Sequence, residues 1–346
     1  MNTTIKEYHH IIRVSDPLAS FQIQLEDVIG KIKDLSEGRK IFFLRFFISD
    51  AANQHEVLQK AMAEKGIADA SVIQQPPLDG SKISAWLWTM EGELNPAYEH
   101  KVIYNLTSDA AGSLGQMECI FSRYASDLAD DGMNVADDCV RTWIFVRDVD
   151  TNYAGVVTGR RNYFDTIGLT SDTHYIASTG IQGSHSDYHK VVVMDAYAVK
   201  GLRKGQVQYL QAKTHLNPTY EYGVTFERGT SITYGDRKHI FISGTASIDN
   251  KGQILHVGDV RSQAERMMEN IAALLSEAGA GIDDIKSSIL YLRDASDHAV
   301  ISDLFKRRWP MLDPVFVQAP VCRPGWLIEM ECIAATSENI DDFPIL

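Results

Sequence analysis

The pattern of apolar and polar residues repeats three times along this chain. Three runs are rich in β-forming residues, and each closes on an Asp-containing turn: 40–51 (KIFFLRFFISDA), 139–149 (CVRTWIFVRDV) and 285–295 (IKSSILYLRDA). Each run lies between two stretches of helical character, and two further strands close each copy. The pattern predicts a strand–helix–strand–helix–strand–strand unit with a period of about 100 to 120 residues, which is a domain repeat rather than a solenoid repeat.

The helix before the third run shows the clearest amphipathic face. Asp259 is its expected N-cap and Gly279 its expected stop. The second copy matches it in length, because Gln116 to Gly132 spans as many residues as Gln263 to Gly279, whereas the first copy, at 20–35, is looser. The apolar residues of the third helix recur at helical spacing: Ala264, Met267, Ile271, Leu274, Leu275 and Ala278. A second helix is predicted after each Asp turn, at 53–66, 152–168 and 297–309.

A unit of this kind carries two helices on one face of its sheet and leaves the other face uncovered. Three copies can bury those faces against each other in a ring. The sequence therefore predicts an α+β fold of three modules, at 1–95, 96–203 and 204–346, that form a pseudo-trimer within one chain. The third module also has a leading hairpin, with its turn at Gly235-Asp236. Three unrelated α+β stretches are the alternative, which the matching helix span disfavours.

Composition and charge argue against several classes of protein, namely nucleic-acid-binding, membrane-bound and metal-binding proteins. The chain is 45% hydrophobic and 23% charged, as in globular proteins, and its net charge of -13 argues against a nucleic-acid partner. We expect no membrane association, because no apolar run approaches the length of a membrane span and the N-terminus has no signal-peptide pattern. The scattered His residues predict no metal site. The four cysteines lack CxxC spacing and indicate reduced thiols in a cytoplasmic protein: Cys119, Cys139, Cys322 and Cys332.

The candidate chemistry lies near the C-terminus, in 314–334. This stretch predicts two short strands around a Pro-Gly turn, and the second, Trp326 to Ile333, is apolar except for Glu329 and Glu331. Both carboxylates lie on one side of the strand, because side chains repeat every two residues. Two interpretations are open: a face that meets solvent, or a buried acid with a raised pKa that serves in proton transfer.

The repeat offers an internal control on these two acids. Counted from the Asp turns, Ala85 of the first copy corresponds to Glu329, and alignment of VVMDAYA with IEMECIA places Val193 there in the second copy. A solvent-facing position should keep polar residues, so the pattern indicates a buried position at which one copy has acquired an acid. Glu331 corresponds to Asp195 and looks like a recurring structural carboxylate.

Residues 222–334 of the third module resemble the YjgF/RidA family. The resemblance implies a chorismate-mutase-like α+β fold, homotrimers in the family at large, and active sites in the clefts between subunits, where many members hydrolyse enamines and imines. It also implies that Glu329 is the acid of the last strand and that Ser243-Gly244-Thr245 matches the family's SGQ-type turn. The family's carboxylate-binding Arg has no counterpart, since its position falls near Phe316.

The chorismatase branch of that family is more similar. The motifs that carry this resemblance follow in order along the chain: Gly159-Arg160…Phe164, Ala177 to Ile181, Tyr222 to Arg228, Ser243 to Ile248, Gly258 to Gln263, Asn270 to Leu275, Tyr291 to Asp294 and Cys322 to Glu331. Two stretches depart from the branch, GVTFER at 223–228 and the strand at Trp143-Ile144-Phe145. Both departures bear on the substrate pocket.

The resemblance implies a hydrolase or lyase that cleaves the enolpyruvyl ether of chorismate, with one site between the second and third modules. Glu329 would be the catalytic acid, with no cofactor and no metal. The substrate would be a small anionic carboxylate, bound by Arg160 first, then by Arg161 and Arg228, each of which could instead lie on a solvated face. The remaining expected contacts are Tyr222, Ser243, Gly244 and Cys322.

Two other functions stay open. The chain could be a RidA-type deaminase of a carboxylated imine or enamine, or a ligand-binding protein that has kept the fold without the reaction. We expect a monomeric pseudo-trimer or a weak homo-oligomer.

Overall fold

The computed structural model describes residues 5–346, except for the side chain of Tyr222. The first sheet, in the order β1-β4-β2-β3, and its helices are β1 (Lys6–Ile12), α1 (Phe21–Ser36), β2 (Lys40–Ile48), α2 (Ala51–Glu64), β3 (Ser71–Gln74) and β4 (Ile83–Glu91). The second sheet, in the order β5-β8-β6-β7, and its helices are β5 (Glu99–Leu106), α3 (Gly112–Ala129), α4 (Val135–Asp138), β6 (Cys139–Val146), α5 (Val149–Thr166), β7 (Ala177–Gln182) and β8 (Val192–Lys200).

The third sheet repeats this order and adds two strands at one edge, giving β13-β12-β14-β11-β10-β9. Its elements are β9 (Val207–Leu210), β10 (Gly229–Thr233), β11 (Arg237–Ala246), α6 (Val260–Glu277), β12 (Ile285–Leu292), α7 (His298–Arg308), β13 (Val315–Gln318) and β14 (Ile328–Ser337). We call the parts of the chain that form the three sheets the first, second and third modules.

Side-chain caps and a glycine mark the ends of the helices. The carboxylate of Asp259 accepts the backbone N–H groups of Arg261 and Ser262, which caps α6 as predicted. Gly279 has a φ of 78°, a left-handed conformation that glycine adopts without strain and that stops the helix. The Ser20 side chain caps α1 in the same way.

The three modules share their pairing pattern in detail. In each, the second strand of the repeated unit (β2, β6 and β12) pairs in parallel with the next strand and antiparallel with the last. Each second strand also has a break in register at the same place before its Asp turn: Ile41/Phe43, Cys139/Arg141 and Ile285/Ser287. The α+β pseudo-trimer predicted from the repeat is confirmed.

This register corrects one prediction from the sequence. The pairs Phe47–Ser84, Phe145–Val193 and Tyr291–Glu329 align Ser84, and not Ala85, with Glu329. Counting from the Asp turn was wrong because the connections that precede β4 and β14 differ in length. A one-residue error moves a side chain to the other face, and Ala85 indeed packs in the core beneath α1 and α2. Glu331 aligns with Asp195, as predicted, and with Trp86.

The inner faces of the three sheets meet in one core. Trp88, Tyr197 and Ile333 come from the last strand of the three modules, and each is at most 4% exposed. Aromatic contacts cross the module boundaries, with the Tyr197 ring 5.6 Å from that of Phe241 and 5.5 Å from that of Phe42. The helices lie outside this ring of sheets. No helix within residues 5–346 is long and apolar enough to cross a membrane.

Candidate active site

A cavity lies in the cleft between the second and third modules. It encloses about 520 Å³ of empty space, part of it open to solvent. The second module contributes Tyr153 and Arg160 from α5 and Ser178 and Gly180 from β7. The third module contributes polar side chains and two aromatic rings: Arg228, Cys322, Arg323, Glu329, Phe226 and Trp326.

Glu329 is the acid of this cavity. It lies on β14 between Tyr291 of β12 and Ala246 of β11, and it is only 5% exposed, so the solvent-facing interpretation of this strand is wrong. Among the described residues no hydrogen-bond donor holds its carboxyl group. Burial, and then the charge of Glu331, raise the pKa of Glu329 to about 8, against the opposing effect of Arg228 and Arg141. Most of this acid is therefore protonated at neutral pH.

Gly244 makes room for that acid. A Cβ atom at this position would lie 2.9 Å from the carboxyl carbon of Glu329 and 3.0 Å from Cγ2 of Thr179, so larger residues collide with the site. The backbone N–H of Gly244 donates to Oγ1 of Thr179 (2.9 Å), and the pairing of β11 with β14 breaks register here, between Ile242 and Thr245. Bulges of this kind re-aim side chains beside functional sites.

Three arginines border the cavity. Arg160 is 2% exposed; its Nε donates to Oγ1 of Thr225 (3.0 Å) and its Nη1 to Oγ of Ser178 (3.4 Å). Arg228 is 4% exposed and donates to the carbonyl oxygen of Asn217 (3.0 Å). The guanidinium of Arg323 lies 5.0 Å from the Trp326 ring centroid.

Because the acid is largely neutral at pH 7, these guanidinium groups give the cavity a net positive charge. They come from a helix, from the segment before β10 and from the segment before β14. The cavity therefore suits an anionic ligand, since planar guanidinium groups bind carboxylates with paired hydrogen bonds.

Two of the expected substrate contacts, Arg161 and Tyr222, are not among the described side chains that line the cavity. Arg161 is exposed, does not line the cavity, and donates to the carbonyl oxygen of Gly223. The backbone of Tyr222 belongs to a 3₁₀ turn, Thr219–Tyr222, and its side chain lies outside the described part of the structure.

Ser243 stands behind the wall of the cavity rather than in it. Its hydroxyl donates to the carbonyl oxygen of Glu227 (2.6 Å) and accepts the N–H of Ser178 (2.9 Å) and Nη1 of Arg141 (3.3 Å). These bonds tie the second module to the third. Cys322 does line the cavity, and burial raises the pKa of its thiol to about 12, so the thiol stays neutral.

A buried charged cluster lies beneath the cavity, where the three sheets meet. Nη2 of Arg45 bonds Oδ2 of Asp195 (2.9 Å), and Nη2 of Arg141 bonds Oε2 of Glu331 (2.9 Å). Nε1 of Trp143 donates to the other oxygen of Glu331 (2.8 Å). The cluster contains residues of all three modules, so it fixes their mutual register.

Arg323 and Tyr153 are two of the cavity-lining residues that were not selected from the sequence. Arg323 follows Cys322 within the motif that carried the resemblance, and a ligand with two carboxylates would have justified looking for another cation there. Tyr153 precedes Arg160 by seven residues, two helical turns, which places both on one face of α5. The ring of Tyr153 packs over Gly180, where a Cβ would lie 2.9 Å from it.

The chain is similar to known proteins in sequence and in fold. The family model "Endoribonuclease L-PSP" matches residues 231–336. A RutC family protein of Pyrococcus abyssi is 36% identical over 97 residues, which cover 28% of this chain and 76% of the relative. The 3-aminoacrylate deaminase RutC of Acinetobacter baylyi is 30% identical over 97 residues, covering 28% of this chain and 77% of the relative.

One solved structure matches nearly the whole chain. A chorismatase crystal structure superposes with a TM-score of 0.70 at 16% identity, covering 96% of this chain and 100% of the other. At that identity the match shows the fold alone. The third module carries the family's sequence and all three modules together carry the chorismatase fold, so the chain belongs to the YjgF/RidA superfamily.

Proposed function

We propose that the chain is a chorismatase-like hydrolase or lyase. It cleaves the enolpyruvyl ether of chorismate to pyruvate plus a cyclohexadiene-diol or a hydroxybenzoate. The observation that carries this proposal is a buried carboxylic acid, with a raised pKa, that opens on a cavity bordered by three arginines. The chorismatase fold of the whole chain supports it.

The charges of the cavity suit this substrate. Chorismate is a dianion whose carboxylates are attached to the ring and to the enolpyruvyl group. Arg160 on the second module and Arg228 and Arg323 on the third can bind the two carboxylates from opposite walls. Because the acid between them is largely neutral, it does not repel the substrate.

The first chemical step is a proton transfer. Glu329 gives its proton to the terminal methylene carbon of the enol ether, which leaves an oxocarbenium ion stabilised by the ether oxygen. A carboxyl group with a pKa near 8 keeps its proton until the substrate arrives, and it is a strong enough acid to release it.

Water completes the reaction. It adds to the cationic carbon and returns a proton to the Glu329 carboxylate, which gives a hemiketal. The hemiketal collapses, the bond between that carbon and the ring oxygen breaks, and pyruvate and the ring alcohol leave. If the ring also loses water it becomes a hydroxybenzoate, and by resemblance to chorismatases Cys322 influences which product forms.

A second candidate is a deaminase of a small carboxylated enamine. The 30% identity of the third module to a 3-aminoacrylate deaminase favours it. Such a substrate carries one carboxylate, so a single arginine would suffice to bind it. The three arginines of this cavity favour the dianion.

The deciding experiment is to incubate the pure protein with chorismate and to follow pyruvate with lactate dehydrogenase. Glu329→Gln is measured in parallel, and Glu99→Gln, an exposed glutamate of β5, is the matched control. We expect pyruvate from the wild type and from the control, and none above background from Glu329→Gln.

Other outcomes would replace the proposal. Ammonia from an enamine generated in situ, without pyruvate from chorismate, would make the chain a deaminase. Binding of chorismate without either product would make it a ligand-binding protein. The aromatic product, identified by chromatography, assigns the subtype.

A further inference from the structure

Glu331 is the next residue after Glu329 on the same face of β14, and its surroundings are the opposite of those of Glu329. It is 4% exposed, and both of its carboxylate oxygens are bound. Oε2 accepts from Arg141 (2.9 Å), Oε1 accepts from the indole N–H of Trp143 (2.8 Å), and Nη1 of Arg45 lies 3.8 Å from Oε1. These partners are two guanidinium groups and an indole N–H, and contacts of this kind stabilise the charged form of a carboxylate.

The buried cluster is electrically balanced without Glu329. Arg45 and Arg141 supply two positive charges, and Asp195 and Glu331 supply two negative charges. Asp195 is held by Arg45 on one oxygen and by the backbone N–H of Asn105 (2.8 Å) on the other. An ionised Glu329 would therefore add a surplus negative charge to this cluster, although the arginines of the cavity lie on its other side.

The distance between the two carboxylates makes that surplus costly. Residues two apart on a strand are separated by roughly 7 Å along it, and their side chains point the same way. Two like charges at such a distance in a protein interior repel strongly, which favours the neutral form of the carboxyl group that has fewer donors. Here the N–H donors lie around Glu331.

The other groups around Glu329 include some that raise its pKa and some that lower it. The titratable and charged side chains that face it or line the same cavity are Arg141 from β6, Tyr153 and Arg160 from α5, Arg228 before β10, Tyr291 from β12, and Cys322 and Arg323 before β14. The cations among them favour loss of the Glu329 proton. Burial and Glu331 oppose that loss.

We propose that Glu331 is a positioning residue whose fixed negative charge, held by Arg141, Trp143 and Arg45, keeps the proton on Glu329. The two carboxylates of β14 thus divide into a permanent charge and a proton donor. The catalytic consequence rests on the proposed function, whereas the proton occupancy of Glu329 is a property of the free protein.

The test measures that proton directly. Infrared difference spectra between a protein and its Glu329→Gln counterpart isolate the protonated carboxyl band of Glu329, and the pH at which this band disappears is recorded without substrate. In the wild type we expect it to disappear near pH 8. In a Glu331→Gln background we expect it to disappear at least about one pH unit lower, a tenfold change in the proton equilibrium.

Two further variants separate charge from mere loosening of the interior. Asp195→Asn disrupts the same cluster but leaves Glu331 charged, so the band should disappear at the wild-type pH. Arg141→Gln removes a cation that opposes the proton, so the band should persist to higher pH. Arg141→Gln also serves if Glu331→Gln does not fold, because water entering a loosened site would move the band the other way.

Each outcome decides the assignment. No shift in Glu331→Gln, or equal downward shifts in Glu331→Gln and Asp195→Asn, would overturn it. If the protein cleaves chorismate, the alkaline limb of kcat/KM should move with the band in each variant. If it does not cleave chorismate, the infrared titration still tests Glu331 independently.

Discussion

Two clefts of this molecule share their backbone plan and differ in content. In the cleft between the second and third modules, β11 bulges at Ser243-Gly244 beside Glu329, and a cavity opens. In the cleft between the first and second modules, β5 bulges at the equivalent place, Tyr104-Asn105, and Val193 stands where the acid would be.

The second of these clefts is sealed by side chains. Nδ2 of Asn105 donates to the carbonyl oxygen of Ala70 (2.7 Å), and its Oδ1 accepts the N–H of Val72 (2.9 Å), so the amide bridges two modules. The hydroxyl of Tyr104 accepts the N–H of Leu44 (3.1 Å). Two substitutions therefore distinguish the open cleft from the sealed one. Gly244 replaces Asn105, which leaves space, and Glu329 replaces Val193, which supplies the acid.

Glu329→Val gives the open cleft the side chain of the sealed one. We expect pyruvate release to fall about 10² to 10⁴-fold, because that is the usual contribution of a general acid. The stability of the variant at pH 7, from urea unfolding, should stay at or above that of the wild type. An active Glu329→Val protein would remove Glu329 from the mechanism.

Arg45→Met removes the ion pair between Arg45 and Asp195, which joins the first and second modules at the sealed cleft. Loss of the guanidinium leaves Asp195 buried without its cation, which costs about 3 to 5 kcal/mol in the free energy of unfolding. Urea denaturation measures this loss. Arg123→Met, an exposed arginine of α3, should change the free energy by less than about 0.5 kcal/mol.

Gly244→Asn fills the open cleft with the residue of the sealed one. The added atoms collide with the Glu329 carboxyl and with Thr179, so we expect kcat/KM to fall at least about tenfold. Gly30→Ala, on the exposed face of α1 where nothing lies within 4 Å, should leave kcat/KM unchanged. Equal activity of both variants would mean that the ligand does not enter beside Gly244.

The acid also makes the open cleft sensitive to alkali. The folded protein holds the Glu329 proton up to about pH 8, whereas the unfolded chain releases it near pH 4.5, so stability falls as pH rises through this range. Glu329→Gln should remove that decline, which amounts to roughly 3 kcal/mol between pH 6 and pH 9. Urea unfolding at pH 6 and pH 9 measures the difference, and parallel curves would contradict the buried acid.

Asn105→Gly is the mildest change of the set. Its φ of 54° already suits glycine, so the substitution removes two hydrogen bonds without backbone strain. We expect a loss of about 1 kcal/mol in the free energy of unfolding and unchanged pyruvate release. A large loss of activity would show that the two clefts are coupled.

The fold could be predicted from sequence because its signals are local. Alternation, helical spacing and the Asp-closed runs each depend on a few neighbouring residues, and they specify the same unit three times. The position of Ser84 could not be predicted, because register depends on connection lengths that spacing in one copy does not report.

The candidate site divides in the same way. Glu329 and Cys322 were found because they lie in one motif, and Gly244, Arg160 and Arg228 because they lie in motifs upstream. The charged cluster beneath the cavity was not found, because Arg45, Arg141 and Asp195 meet only through contacts between modules.

The three sheets belong to one covalent chain, and β8 ends at Lys200 shortly before β9 begins at Val207. In a trimer of separate subunits, each cleft lies between two chains. Dilution dissociates the subunits, and the clefts are lost. Here the connection holds the walls at an effective concentration fixed by its length. The thermal midpoint should therefore be independent of dilution, and the cleft should persist at concentrations at which a dissociable trimer would come apart.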